Sequence, residues 1–317
     1  MKPHAVTVRL SKKGGGRKGK SMTEKITELQ KWARENPISG SLATIAVMIV
    51  LTKPAGLMLH KYAPELITEA VSSLIGIASA WLIVLLFGFR WMYRHGDLKK
   101  TLFAGLPQLL FYGFLLGLIV MNAAVNPELH WAEPAWILMS LLRLFQIGYL
   151  EESVFRGVIS NLLGFRFGKD AKGIRKAILC SSALFGLTHL TNILNGVTFL
   201  NALLQSVIAF IMGIYLCAVY YRGRSIWGMM LIHAVTDSLG LFQIYFLATG
   251  SGIDQAAVIN MMSIYSVLYA LLYAAIAVFL LRKKKMEEVI RGLDAAEAID
   301  QSRFAWILFV ESNGAAW

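Results

Sequence analysis

Apolar residues run along this chain in blocks of about twenty, parted by short polar or basic stretches. The blocks lie near 38–59, 66–89, 102–124, 135–163, 177–194, 199–221, 225–247 and 258–281. Because a helix needs about 20 apolar residues to cross a bilayer, the pattern predicts an all-α, polytopic membrane protein with eight spans. Lys53 and Pro54 interrupt the first block, where a kink or an early end is expected. The polar stretch 1–37 is longer than the charged start of a signal peptide, so none is expected before the first span. Past the last block, an amphipathic helical piece from Glu287 leads to an apolar cluster at 304–310 that is too short to span. No internal repeat is visible.

Composition strengthens this picture. With 56% hydrophobic and 16% charged residues, too little polar surface exists for a two-layer soluble enzyme or a disordered chain. The only cysteines, Cys180 and Cys217, sit inside apolar blocks and imply no disulfide framework. Positive charge then sets the sides. Residues 1–37 carry ten Lys and Arg, and Arg90–Lys100, Arg166–Lys176, Arg222–Arg224 and Arg282–Lys285 continue the basic side. The stretches 125–134, 195–198 and 248–257 carry none. This alternation puts both termini in the cytoplasm of a multi-pass cell-membrane protein. It also accounts for the net charge of +12, so no nucleic-acid partner is expected. The division is a polybasic cytoplasmic tail at 1–37, a membrane domain at 38–282 and a cytoplasmic tail at 283–317. Within the first tail, the Gly-rich arm from Ser11 to Lys20 is suited to touching anionic membrane lipid. Gly113, Gly117 and Gly213 are expected at close helix contacts.

Ionisable side chains in the middle of a span cost about 2.5–3.5 kcal/mol each, so those present are candidates for function. They are Glu151, Glu152 and Arg156 in the fourth block, His189 in the fifth, and His233 and Asp237 in the seventh. The bland alternative ends the fourth helix at the glutamates and leaves them facing the cytoplasm. Against it, apolar residues resume after Arg156, giving one long tilted helix with Glu151 near mid-depth. His189 and His233 then lie within about 10 Å of the same depth at 1.5 Å per residue. Four-residue spacing pairs Glu152 with Arg156, Phe185 with His189, and His233 with Asp237, while Glu151 points about 100° away from Glu152. A single membrane histidine is often only a helix contact; an acid and two imidazoles from three helices form a stronger pattern.

Glu151-Glu152-Ser153-Val154-Phe155-Arg156 fits EExxxR, Phe185-Gly186-Leu187-Thr188-His189 fits FxxxH, and His233-Ala234-Val235-Thr236-Asp237 fits HxxxN/D. In this order, across about 130–245, the chain resembles the CPBP family of intramembrane proteases. That family includes CAAX prenyl endopeptidases of the Ras-converting type and bacteriocin-processing or immunity proteins. The resemblance implies an intramembrane endopeptidase acting on a peptide or protein substrate, lipidated or leader-bearing. It implies Glu151 as the base acting on water, His189 as the group holding that water, and His233 with Asp237 at the oxyanion. Glu152, Arg156 and Phe185 would support the site. Asp237 departs from the more common Asn, and an ionised carboxylate has no proton to donate. Asp237 is therefore expected either to orient His233 through its ring N–H or to be protonated by burial. It also leaves open a zinc site of Glu151, His189, His233 and Asp237, although no cofactor is the first expectation. Two other classes stay open, a non-proteolytic immunity or scaffold protein and a proton-coupled transporter.

Overall fold

The computed structural model describes residues 21–62, 64–126, 130–246 and 264–293, and every regular element among them is helical. A short amphipathic helix, α1 (Met22–Glu35), starts at a capping box in which Ser21 and Glu24 each bond the other's backbone N–H. It folds onto the bundle, where Gln30 donates to the Leu85 carbonyl at 3.0 Å and Ala33 is buried. Then follow α2 (Pro37–Tyr62), α3 (Glu65–Phe87) and α4 (Leu98–Val125). The central run is α5 (Pro134–Glu151), a wide-turned π segment (Glu152–Ile159) and α6 (Ser160–Phe167), continuous in helical backbone. Next are α7 (Ala171–Thr188), a 3-10 segment (His189–Asn195), α8 (Phe199–Gly223), α9 (Ile226–Phe246) and α10 (Ile264–Leu280).

Among the described residues four helices, or five counting a bent pair, are long and apolar enough to cross a membrane by length and composition. They include α3, α4, the α7 run as far as Asn195, and α8. The bent pair is α10 with the helix Lys283–Leu293, which turns away by 67°. Arg175 and Arg222 fasten that bend by donating to the Leu281 and Leu280 carbonyls at 2.8 and 2.6 Å, the orphan acceptors at the end of α10. Apolar stretches 37–53 of α2 and 226–239 of α9 are shorter. The polybasic arm at 11–20 and the apolar cluster at 304–310 lie outside the described residues.

Chain order does not set the packing. The α5–α6 run lies at the centre, touching α2 and α3 on one side and α7 and α9 on others, while α8 joins α7 to α4 and α10. Gly148 on α5 allows a close crossing: a Cβ there would stand 3.1 Å from the Met230 carbonyl of α9 and 3.7 Å from the His233 Cβ. Gly213 of α8 likewise abuts Ser182 of α7. Gly113 and Gly117 do not behave as expected, since a Cβ on either meets open space; that face of α4 is turned away from its neighbours.

Candidate functional site

The π segment is the local feature on which the site is built. Across it, hydrogen bonds reach back five residues, as from the Ser160 N–H to the Phe155 carbonyl, and all eight residues are buried. Such wide turns open the regular ladder and occur often at functional positions. Neighbouring side chains bond the loosened carbonyls: Ser181 of α7 donates to Phe155 at 3.0 Å, and Asn161 donates to Arg156 and Gly157 at 3.1 and 2.7 Å. Replacing Ser181 with Ala should therefore cost about 0.5–1.5 kcal/mol, read as a lowered Tm, since the Phe155 carbonyl keeps its backbone donor.

Glu152 and Arg156 are both fully buried, and Arg156 Nη1 lies 3.1 Å from Glu152 Oε1. The guanidinium also rests over the Phe185 ring, 4.5 Å from its centroid, so a carboxylate and a π face together meet its charge. On its other side the same carboxylate oxygen takes the Nδ1–H of His233 at 2.6 Å. His233 is 2% exposed. With Nδ1 held, Nε2 is the ring atom left facing the remaining acids, Glu151 Oε2 and Asp237 Oδ1, each at 3.6 Å. That distance is too long for a direct hydrogen bond and suits a shared water or substrate atom. Glu151 and Asp237 are a quarter and a fifth exposed, so the cluster runs from a closed interior to an open rim.

His189 begins the 3-10 segment that follows α7, and its Nδ1 lies 2.9 Å from the Phe185 carbonyl. A carbonyl can only accept, so Nδ1 carries the hydrogen and the neutral ring presents Nε2 as an acceptor. Phe185 stands between the two imidazoles, edge-on to His189 at 4.9 Å and to His233 at 6.3 Å. No hydrogen bond or ion pair joins His189 to Glu151, Glu152 or Asp237 among the described residues.

One expectation changes. The acid that orients His233 is Glu152, from the fourth apolar block, because Asp237 stops 3.6 Å short on the opposite nitrogen. As for zinc, no group of three or more His, Cys, Asp or Glu side chains among the described residues is arranged to hold a metal ion.

Sequence reasoning passed over Arg143, although a guanidinium inside an apolar block is signal enough. It lies 3.6 Å from Glu69 of α3 and donates to Gln146 at 3.0 Å, two turns along α5 from Glu151. Beside the acid cluster an apolar cavity of about 590 Å³ opens between α4, α5 and α9, lined by Leu116, Leu144, Phe145, Met230, Ala234 and Ser238 among others. The α9 turns that carry His233 and Asp237 thus have a hydrocarbon-lined flank.

Residues 133–239 match the family model described as type II CAAX prenyl endopeptidase Rce1-like. Comparison with curated proteins and with solved structures returned no match.

Proposed function

We propose, from the premise that residues 133–239 belong to the Rce1-like family of type II CAAX prenyl endopeptidases, that this chain is an intramembrane endopeptidase using a glutamate-activated water. The observation that carries the reading is the partly open Glu151 carboxylate set 3.6 Å from Nε2 of a buried His233 whose other nitrogen is already held. In this mechanism a water lies between Glu151 and the Nε2 acceptor of His189. Glu151 takes one proton as the water oxygen attacks the scissile carbonyl carbon. Negative charge builds on the carbonyl oxygen, which accepts the Nε2–H of the His233 imidazolium. Glu151, Glu152 and Asp237 balance that cation, and preset donors act strongly in a site shielded from bulk water. The intermediate collapses as the Glu151 carboxyl returns its proton to the departing amine nitrogen. The products are an amine and a carboxylic acid that keeps the second proton of the water until it ionises to solvent.

The substrate is a membrane-associated peptide or protein of the prenylated or leader-bearing class. Supporting this are the family and the apolar cavity beside the acids. In the same reading the domain at 38–282 spans the cell membrane eight times, with the tails 1–37 and 283–317 on the basic, cytoplasmic side. The decisive experiment incubates purified protein in lipid vesicles with an internally quenched farnesylated peptide ending in a CAAX-type sequence and with leader-type membrane peptides. Cleavage is expected to persist in excess chelator. Loss of cleavage on chelation, restored by zinc, overturns the glutamate mechanism. Proteolysis absent from every substrate overturns the reading and leaves a non-proteolytic scaffold.

A further inference from the structure

On the side of α9 facing α4 and α10 lies a second polar cluster, which the hydrolytic mechanism does not use. Gln108 of α4 is fully buried in the bundle, a position where an amide is costly unless it is bonded. Its Nε2 donates to Thr236 Oγ1 of α9 in a short hydrogen bond and lies 3.5 Å from the Tyr273 hydroxyl of α10. The directions are consistent for the amide nitrogen, while Gln108 Oε1 is buried without a hydrogen-bond partner among the described residues. Thr236 spends its own hydrogen on the Ile232 carbonyl at 2.9 Å, so it must accept from Gln108. Tyr273 donates to the Tyr112 hydroxyl at 2.6 Å, so it too is open to a donor from Gln108. One amide therefore joins three helices.

Two features bring this amide to α9. Gly105, one turn before Gln108, leaves room for Ile232 of α9, whose side chain a Cβ at that position would strike. Pro107 inside α4 lacks the N–H for the usual ladder bond, which allows the helix to bend just where Gln108 projects. The stretch of α9 that is gripped runs from Ile232 to Thr236. It contains His233, and Asp237 follows directly, so Gln108 grips α9 within the same turn that carries the reacting groups.

We propose that Gln108 is a positioning residue: through Thr236 it fixes the rotation of α9 and so the reach of His233 Nε2 and Asp237 toward Glu151. This inference rests on the proposed roles of His233 and Glu151, but not on the identity of the substrate. The separation it controls, from Glu151 Oε2 across to His233 Nε2, is 3.6 Å, and a displacement of about 1 Å can cost on the order of a hundred-fold in rate. Holding the turn by a hydrogen bond to a threonine, and not by packing alone, gives it one register, because sliding or rotating α9 leaves a buried amide unpaired.

The test compares Gln108→Leu, Thr236→Val and Thr236→Ser with wild type in histidine-labelled protein, following the ring-nitrogen NMR signals of His233 as assigned with His233→Gln. Gln108→Leu and Thr236→Val should both move the His233 signals, and Thr236→Ser, which keeps the accepting hydroxyl, should leave them in place. Should Gln108→Leu fold poorly, the nearly isosteric Thr236→Val carries the same test. With a cleaved farnesylated peptide, the first two variants should lower kcat roughly ten- to a hundred-fold with KM within about two-fold. The double variant should be no worse than either single one. Unmoved His233 signals in Gln108→Leu and Thr236→Val, or unchanged kcat alongside a lowered Tm, overturn the proposal and leave Gln108 a bundle contact. If wild type cleaves nothing, the catalytic reading fails while the NMR comparison still decides whether Gln108 sets His233.

Discussion

Glu151→Ala and Glu151→Gln should each lower kcat/KM by roughly two to four orders of magnitude while leaving Tm close to wild type. The two halves of this expectation have separate causes. Glu151 is a quarter exposed, and its one ion-pair contact among the described residues is the long approach to His233, so little folding energy depends on it. Glutamine keeps the shape of the side chain but cannot accept a proton from water, which separates a base from a spacer. Kinetics on the quenched farnesylated peptide, with thermal unfolding of the same preparations, provide the check. Retained cleavage by Glu151→Gln would remove Glu151 from the chemistry. A Tm lowered in parallel with the rate would make it a structural carboxylate.

The largest loss of stability should come from Arg156→Met. Arg156 and Glu152 are both sealed from solvent, and removing the guanidinium leaves a buried carboxylate whose remaining partner is His233. Breaking such a pair from one side costs about 3–5 kcal/mol. The double variant Glu152→Gln with Arg156→Met should recover much of that, because the uncompensated charge is gone and the aliphatic chain still packs on Phe185. Unfolding curves of the two variants measure this directly. Equal destabilisation of single and double variants would show that the charge on Glu152 is not what Arg156 holds in check. Activity should stay low in the double variant, since the Glu152 carboxylate also fixes Nδ1 of His233.

Much of this site could be read from residue positions alone. The pairing of Glu152 with Arg156 followed from a four-residue step, and the helical architecture from the apolar blocks. The departures share a physical origin. Hydropathy windows locate apolar stretches but do not resolve a change from α to π turns, because no residue type in Glu152–Ile159 marks a backbone that reaches back five residues. Both successive glutamates reach one imidazole at its two different nitrogens, an arrangement that regular spacing, which turns Glu151 about 100° from Glu152, does not reveal without knowing where α9 lies. For the same reason Asp237 was expected to orient His233: four-residue spacing within α9 was visible, and a bond across 81 positions was not. Gln108 escaped notice because a neutral amide does not stand out in a scan for charges. Arg143 was passed over although its charge was visible, and its partner Glu69 lies on a helix that the sequence gives no reason to place beside it.

The π segment also makes the site sensitive to the length of the chain as well as to its composition. One residue fewer between Glu152 and Ile159 would let the backbone relax to ordinary α geometry. The flanking helices could keep their mutual rotation, but side chains within the segment would shift by one position against α7 and α9, parting Glu152 from His233 and Arg156 from Phe185. Substitutions in this stretch alter individual contacts, whereas a single-codon deletion or insertion would misalign the carboxylates wholesale. Across evolutionary time, spacing here should drift far more slowly than the identities of the residues that fill it.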